Sequence, residues 1–225
     1  MSRDTETIFL FDVDNTLLDN DRIEADIGGH LEDEYGAAGR DRFWAIFEAL
    51  RDEFGFANYL GTVQRLRLEM LRNPQVLGLS AFFLEYPFAD RLYPRAQETL
   101  AHVRNWGRTV ILSDGDAVFQ PHKIRRAGLW NAVEGRVLIY IHKERMLDEV
   151  KRLYPAQRYV MIDDKPGILA AMKQIWGAQL TTVFLRQGHY AHASLSMASP
   201  PFVDLSLERV SDLIACSYSD FSVAK

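Results

Sequence analysis

Short apolar runs that end in carboxylates or turn residues alternate with helical stripes along most of this chain. The clearest run, Ile8-Phe9-Leu10-Phe11, leads into Asp12-Val13-Asp14-Asn15-Thr16. A bounded apolar stretch of this length reads as a buried strand, predicted over residues 7–12, and Asn15-Thr16 turn the chain at its end. Comparable runs predict strands over residues 109–112, 137–141, 159–162 and 181–185. Helical spacing predicts helices over residues 96–104, 119–127, 143–153 and Pro166–Trp176. Gly107, Gly128 and Pro155 stop them, and Pro166 suits a first turn. Strand and helix in alternation argue an α/β fold: a parallel sheet with helices on both faces, three layers in all.

Residues 17–90 break that alternation. They carry four helical patterns and almost no strand signal. Residues 21–35 are polar and helical but weakened by Gly28-Gly29. Residues 40–54 place Phe43, Ile46, Phe47 and Leu50 on one face. Asn58 is a candidate N-cap for a helix through about Leu71. Asn73-Pro74 ends it, with Pro74 in the first turn of a last helix through about Leu84. Residues 19–91 therefore read as a small all-helical domain inserted in a core formed by residues 1–18 and 92–225. Its linkers lie near residues 18–20 and 87–93. A helix is predicted near residues 205–216; the rest of 188–225 carries no interpretable motif.

The predicted strand ends hold the chemistry. Asp12 and Asp14 would share one side of the strand if it ran on, and two such carboxylates repel unless a cation or a proton lies between them. The plainer alternative is a turn cap and a solvated acid. The second strand ends at Ser113-Asp114-Gly115-Asp116 and a later one at Asp163-Asp164, with Lys143 between. In open parallel sheets the ligand crevice lies beyond the strands' carboxyl ends, and all of these residues fall there. Asp116 suits a helix N-cap. His142 reads as packed or solvated, and His189 and His192 lack the further ligands of a zinc site. The arginines at 40, 42, 51, 65, 67 and 72 read as a solvated helix face.

Composition narrows the partners. A net charge of −5 over 225 residues offers no broad basic surface for nucleic acid. No apolar run is long enough for a bilayer, and no signal-peptide pattern opens the chain. The single cysteine, Cys216, excludes an intrachain disulfide, fits a reducing compartment and reads as packing in the C-terminal helix. A soluble cytoplasmic protein is expected, without a nucleic-acid or membrane partner; its oligomeric state leaves no mark in the sequence.

In order, Asp-Val-Asp-Asn-Thr, Leu-Ser-Asp-Gly, Lys143 and Ile-Asp-Asp resemble the four motifs of the haloacid-dehalogenase-like hydrolase superfamily, most of whose members are phosphatases or phosphotransferases. The match spans residues 8–170. The resemblance implies a Rossmann-like core and makes the helical insert a cap that closes on substrate. It makes Asp12 the nucleophile and Asp14 the general acid. Ser113, the Asp114 backbone amide and Lys143 would bind phosphate, with Lys123, Lys151 and Lys165 as rivals to Lys143. Mg²⁺ would be held by an Asp12 oxygen, the Asp14 backbone carbonyl and Asp164, with Asp163 a second ligand or a partner behind the ligands. True dehalogenases lack an acid at the position of Asp14 and need no metal. A Mg²⁺-dependent phosphatase of a small phosphorylated metabolite, working through an aspartyl phosphate, is the expected activity. A phosphomutase and a non-catalytic phosphate-binding module are the alternatives. A phosphonate hydrolase would need a cap lysine, and residues 18–94 contain none.

Overall fold

Six parallel strands form one sheet in the order β3-β2-β1-β4-β5-β6 in a computed structural model that describes residues 7–193 and 202–221. They are β1 (Thr7–Phe11), β2 (Arg108–Asp114), β3 (Val137–Tyr140), β4 (Arg158–Asp163), β5 (Leu180–Leu185) and β6 (Leu205–Leu207). β1 is central and wholly buried. Its Phe11 pairs with Ile111 of β2 and Ile162 of β4, so the ends of these three strands lie side by side. Side chains alternate across a strand. Phe9 and Phe11 accordingly enter one core, while Ile8 and Leu10 enter the other.

The first core receives α4 (Ala96–Val103), α5 (Phe119–Arg126) and α6 (Leu129–Ala132). The second receives α7 (Leu147–Leu153) and α8 (Pro166–Trp176). This is the expected three-layer Rossmann-like arrangement. Lys143 opens a 3-10 turn, Lys143–Arg145, rather than the predicted continuous helix, and α7 starts after it.

The predicted C-terminal helix is corrected. Residues 205–207 form β6, with Leu205 paired to Val183 of β5, and Val210–Ala215 is a 3-10 helix that buries Val210 and Leu213. Cys216 follows this turn, half-buried, its Sγ 3.6 Å from the Asp212 carbonyl oxygen. Leu205-Ser206-Leu207 is too short for its alternation to be told from a helical stripe. The open edge of β5 decides, helped by Asp204, whose carboxylate accepts from Thr182 N at 2.8 Å. Residues 1–6, 194–201 and 222–225 of the predicted core segments lie outside the described residues.

The insert is helical: α1 (Asn20–Phe54), α2 (Tyr59–Glu69) and α3 (Val76–Glu85). The two helices predicted over 21–35 and 40–54 are both present and meet at a kink at Gly36, where the backbone leaves helical geometry (φ +70°, ψ 173°). Gly28-Gly29 does not break the first. Two glycines cost about 1 kcal/mol each, whereas Ile23, Ile27 and Leu31 are buried on either side of them, each worth about 1.5–3 kcal/mol. Asn58 caps α2 as predicted, accepting from Gly61 N at 2.8 Å. Pro74 lies in the turn before α3 rather than in its first turn.

Phe43, Phe47, Tyr59, Phe83 and Phe88 form an aromatic cluster closed from below by Phe119 of α5. The two chain crossings lie together: Asp19 N donates to Arg91 O at 2.8 Å, and Tyr93 N to Leu17 O at 2.9 Å. The cap-like helices therefore sit over the carboxyl ends of the strands. No helix among the described residues is long and apolar enough to cross a membrane.

Candidate active site

Asp12 leaves the end of β1 with its N–H bonded to Ile162 O at 3.0 Å, which sets it beside Asp163 and Asp164 at the end of β4. One carboxylate oxygen from each of the three lies within 4.8 Å of the others, and all three residues are at most 3% exposed. Lys143 reaches into this group from the turn after β3. Its Nζ is 2.5 Å from Asp12 Oδ1 and 2.7 Å from Asp163 Oδ2. Asp163 Oδ1 accepts from Lys165 N at 2.8 Å, and its Oδ2, though without a hydrogen bond, has the ion pair with Lys143.

Asp164 differs. Both of its oxygens, and Oδ2 of Asp12, are buried without a hydrogen-bond partner. Burial pushes the Asp164 carboxyl up to about 9, and Asp163 and Asp12 add to the push. Burial also raises Asp12, to about 6, against the pull of Lys143. On Lys143 burial acts downward, but Asp12, Asp163 and Asp114 outweigh it and hold the ammonium above its usual range. Three acids lie near two ammonium groups, Lys143 and Lys165, yet both Asp164 oxygens and one of Asp12 are left without a hydrogen-bond partner. Buried carboxylates are retained when they pair or coordinate a metal. Unpartnered, closely spaced carboxylate oxygens are the donor set that Mg²⁺ takes, so the residues present fit a hard divalent cation.

The end of β2 supplies the next layer. Asp114 Oδ1 accepts from Lys143 N at 2.8 Å, which fixes the turn that carries this lysine. Ser113 is buried, and its Oγ accepts from Gln120 Nε2 at 3.0 Å. Asp116 caps the start of α5, accepting from Phe119 N at 2.7 Å. Asp14 stands apart from the three acids. Its Oδ1 is 2.5 Å from Lys123 Nζ, and its Oδ2 accepts from Gln120 Nε2 at 3.2 Å. Its side chain, about a quarter exposed, lines a cavity of about 230 Å³ between the strand ends and the cap-like helices. Asp114, Lys165 and Lys123 line it from the sheet side, Glu24, Arg51 and Tyr59 from the helices.

The predicted site residues therefore converge: Asp12, Asp163, Asp164 and Lys143 in one buried cluster, with Ser113, Asp114 and Asp14 beside it. Of the rival lysines, Lys151 bonds to Gln179 elsewhere, whereas Lys123 and Lys165 both enter the site. Among the six arginines only Arg51 lines the cavity; Arg40 and Arg42 are held by Glu32 and Glu69. His142 packs beside Gly55, and the side chain of His192 lies outside the described residues.

Sequence reasoning missed the loop after β5. Gln187 Nε2 donates to the carbonyls of Asn15 and Thr16 at 3.0 and 2.8 Å. His189 contacts Asp21 through both N–H and ring, and Asn15 Nδ2 donates to Asp21 Oδ1 at 2.9 Å. Asn15 has φ +59°, a conformation Asn tolerates through local bonding. Gly188, at φ +77°, leaves the room that a Cβ would take from Asn15, 2.5 Å away. The turn after Asp14 is thus held from both sides.

A family model described as haloacid dehalogenase-like hydrolase matches residues 7–175. No curated protein matches the chain. Among solved structures, a haloacid dehalogenase-like hydrolase from Burkholderia xenovorans LB400 is 56% identical with a TM-score of 0.88, covering 96% of this chain and 98% of its own. The magnesium-bound HAD hydrolase YfnB from Bacillus subtilis is 15% identical with a TM-score of 0.61, over 93% and 97% of the chains. L-2-haloacid dehalogenase from Xanthobacter autotrophicus, with chloropropionic acid covalently bound, is 17% identical with a TM-score of 0.57, over 92% and 96%. These last two share the fold.

Proposed function

The chain belongs to the haloacid dehalogenase-like hydrolases, and from that premise we propose that it is a Mg²⁺-dependent phosphatase that passes the phosphoryl group of a small metabolite through Asp12. The observation that carries this reading is the set of buried, unpartnered oxygens on Asp12 and Asp164. Carbon–halogen chemistry on a carboxylate nucleophile needs no cation beside Asp164, and a departing halide needs no proton from a second acid at Asp14. That outweighs the fold shared with haloacid dehalogenases.

Asp12 Oδ2 and Asp164 would hold the ion, with the Asp14 backbone carbonyl; Asp163, already paired with Lys143 and bonded to Lys165, orients Lys143 instead. Bound there, Mg²⁺ supplies positive charge that offsets the repulsion between an anionic nucleophile and an anionic substrate. An Asp12 carboxylate oxygen attacks phosphorus, the bond from phosphorus to the ester oxygen breaks, and Asp14 gives that oxygen its proton. Lys143 and the Ser113 hydroxyl balance charge on the phosphoryl oxygens. Asp14 then takes a proton from water as the water attacks phosphorus, and phosphate leaves while the Asp12 carboxylate is restored. Asp12 is nearly closed off, so the cap-like helices must part to admit substrate and reseat to exclude water. The cavity of about 230 Å³ suits a compact metabolite, and the lone cysteine fits the cytoplasm.

The test is release of phosphate from para-nitrophenyl phosphate and a panel of phosphorylated metabolites. Turnover that requires Mg²⁺ and stops with a chelator is expected. Halide release from 2-chloropropionate, with no phosphate release from any ester, would overturn the reading.

A further inference from the structure

Asp14 is not placed by its own turn. α5, four to seven residues beyond Asp116, sends two side chains from consecutive turns to the same carboxylate. Lys123 meets Oδ1 at 2.5 Å, and Gln120 meets Oδ2 at 3.2 Å while also donating to Ser113 Oγ. Lys123 is 3% exposed at its side chain. Removing an ammonium this far from water is unfavourable unless its partner is well placed, and Asp14, 109 positions away in the chain, is the partner shown. The space that Gln120 uses is cleared by Gly115, where a Cβ would lie 2.6 Å from the glutamine side chain. α5 is itself fixed. Phe119 packs among Tyr59, Phe83 and Phe88, and His122 Nε2 lies 2.7 Å from Leu84 O of α3.

We propose that Lys123 and Gln120 are positioning residues that hold the Asp14 carboxylate at the mouth of the site, in line for proton transfer to the departing oxygen. The proposal rests on the phosphatase reading for what Asp14 does, but not for where it is held. Without the clamp, Asp14 loses its fixed direction. The loss then falls on substrates whose leaving group needs a proton. An alkoxide departs poorly unprotonated, whereas para-nitrophenolate departs without help.

The test uses Lys123→Met, which keeps the length and apolar stem, and Gln120→Leu, singly and together, in the full-length chain with Mg²⁺. For Lys123→Met, kcat on glycerol phosphate is expected to fall about 10²-fold, the lower end for a lost general acid. On para-nitrophenyl phosphate it falls less than about tenfold, and KM for both stays within about twofold. Equal losses on the two esters, or a variant faster than wild type, would overturn the proposal; a faster variant would make the pair a brake. A crystal structure of the double variant reads the placement without any activity. Asp14 displaced from its wild-type direction supports the clamp, and Asp14 unmoved overturns it. A wild type inactive on every ester ends the phosphatase reading alone, and the crystal structure still decides the clamp.

Discussion

Asp12→Asn is expected to fold like the wild type and to lose at least about 10⁴-fold in kcat on every phosphate ester it is offered, the scale seen when a covalent nucleophile is removed. The amide is a poor nucleophile, and no other group can stand in. Asp163 has one oxygen paired with Lys143 and the other bonded to Lys165 N. Asp14 faces Lys123 and Gln120, on the leaving-group side of the reaction. The fold should survive because the amide that replaces the carboxylate keeps an oxygen for Lys143, which also retains Asp163. Saturating phosphate-release assays read the loss, with circular dichroism as the control for folding. A residual rate above about 10⁻² of wild type would mean that a different group attacks phosphorus.

Asp164→Asn is expected to have opposite effects on activity and on metal-free stability. Its two buried oxygens have no partner, and burial pushes the carboxyl up to about 9, so in the metal-free fold it takes up a proton that it lacks in the unfolded chain, which costs stability at neutral pH. An amide needs no such proton and leaves only the desolvation cost of a neutral group. A gain of roughly 1–3 kcal/mol is reasonable for removing that cost. At about 2–4 °C per kcal/mol in a chain of this size, the melting temperature in chelator should rise by several degrees. Mg²⁺ should raise the wild-type melting temperature and leave that of the variant almost unchanged, because ligand that binds only the folded state stabilises it by mass action. Activity should fall by about 10²-fold or more at limiting Mg²⁺, with partial recovery at high concentration. A variant less stable than wild type in chelator, or one with an undiminished Mg²⁺ response, would show that Asp164 is a structural acid.

The sheet and the acidic cluster were legible because both depend on local patterns. Apolar runs bounded by turn residues placed β1, β2, β4 and β5 to within about two residues, and a motif at a strand end can point only toward the crevice. What escaped depends on contacts between distant parts of the chain. β6 needed the open edge of β5, which no pattern near Leu205 announces. Lys123 and Gln120 read as ordinary polar positions on a helix, and only the packing of Phe119 and Ile124 in the core turns that face toward Asp14. The Gln187 and His189 contacts join residues more than 160 positions apart. Asp163 and Asp164 were indistinguishable as neighbours in sequence. Their separate environments, one held through both oxygens and one through neither, come from the way the chain turns after β4.

A crystal structure of the protein with Mg²⁺ and beryllium trifluoride, a mimic of the phosphoryl group that bonds to carboxylate oxygen, shows whether Asp12 takes a phosphoryl group while Asp164 shares its metal ion. Beryllium is expected on an Asp12 oxygen, with Lys143 and Ser113 at the fluorines and one Mg²⁺ held by Asp12 and Asp164. Beryllium trifluoride on another residue would mean that a different group takes the phosphoryl, and Mg²⁺ bound away from Asp164 would mean that Asp164 is not its ligand.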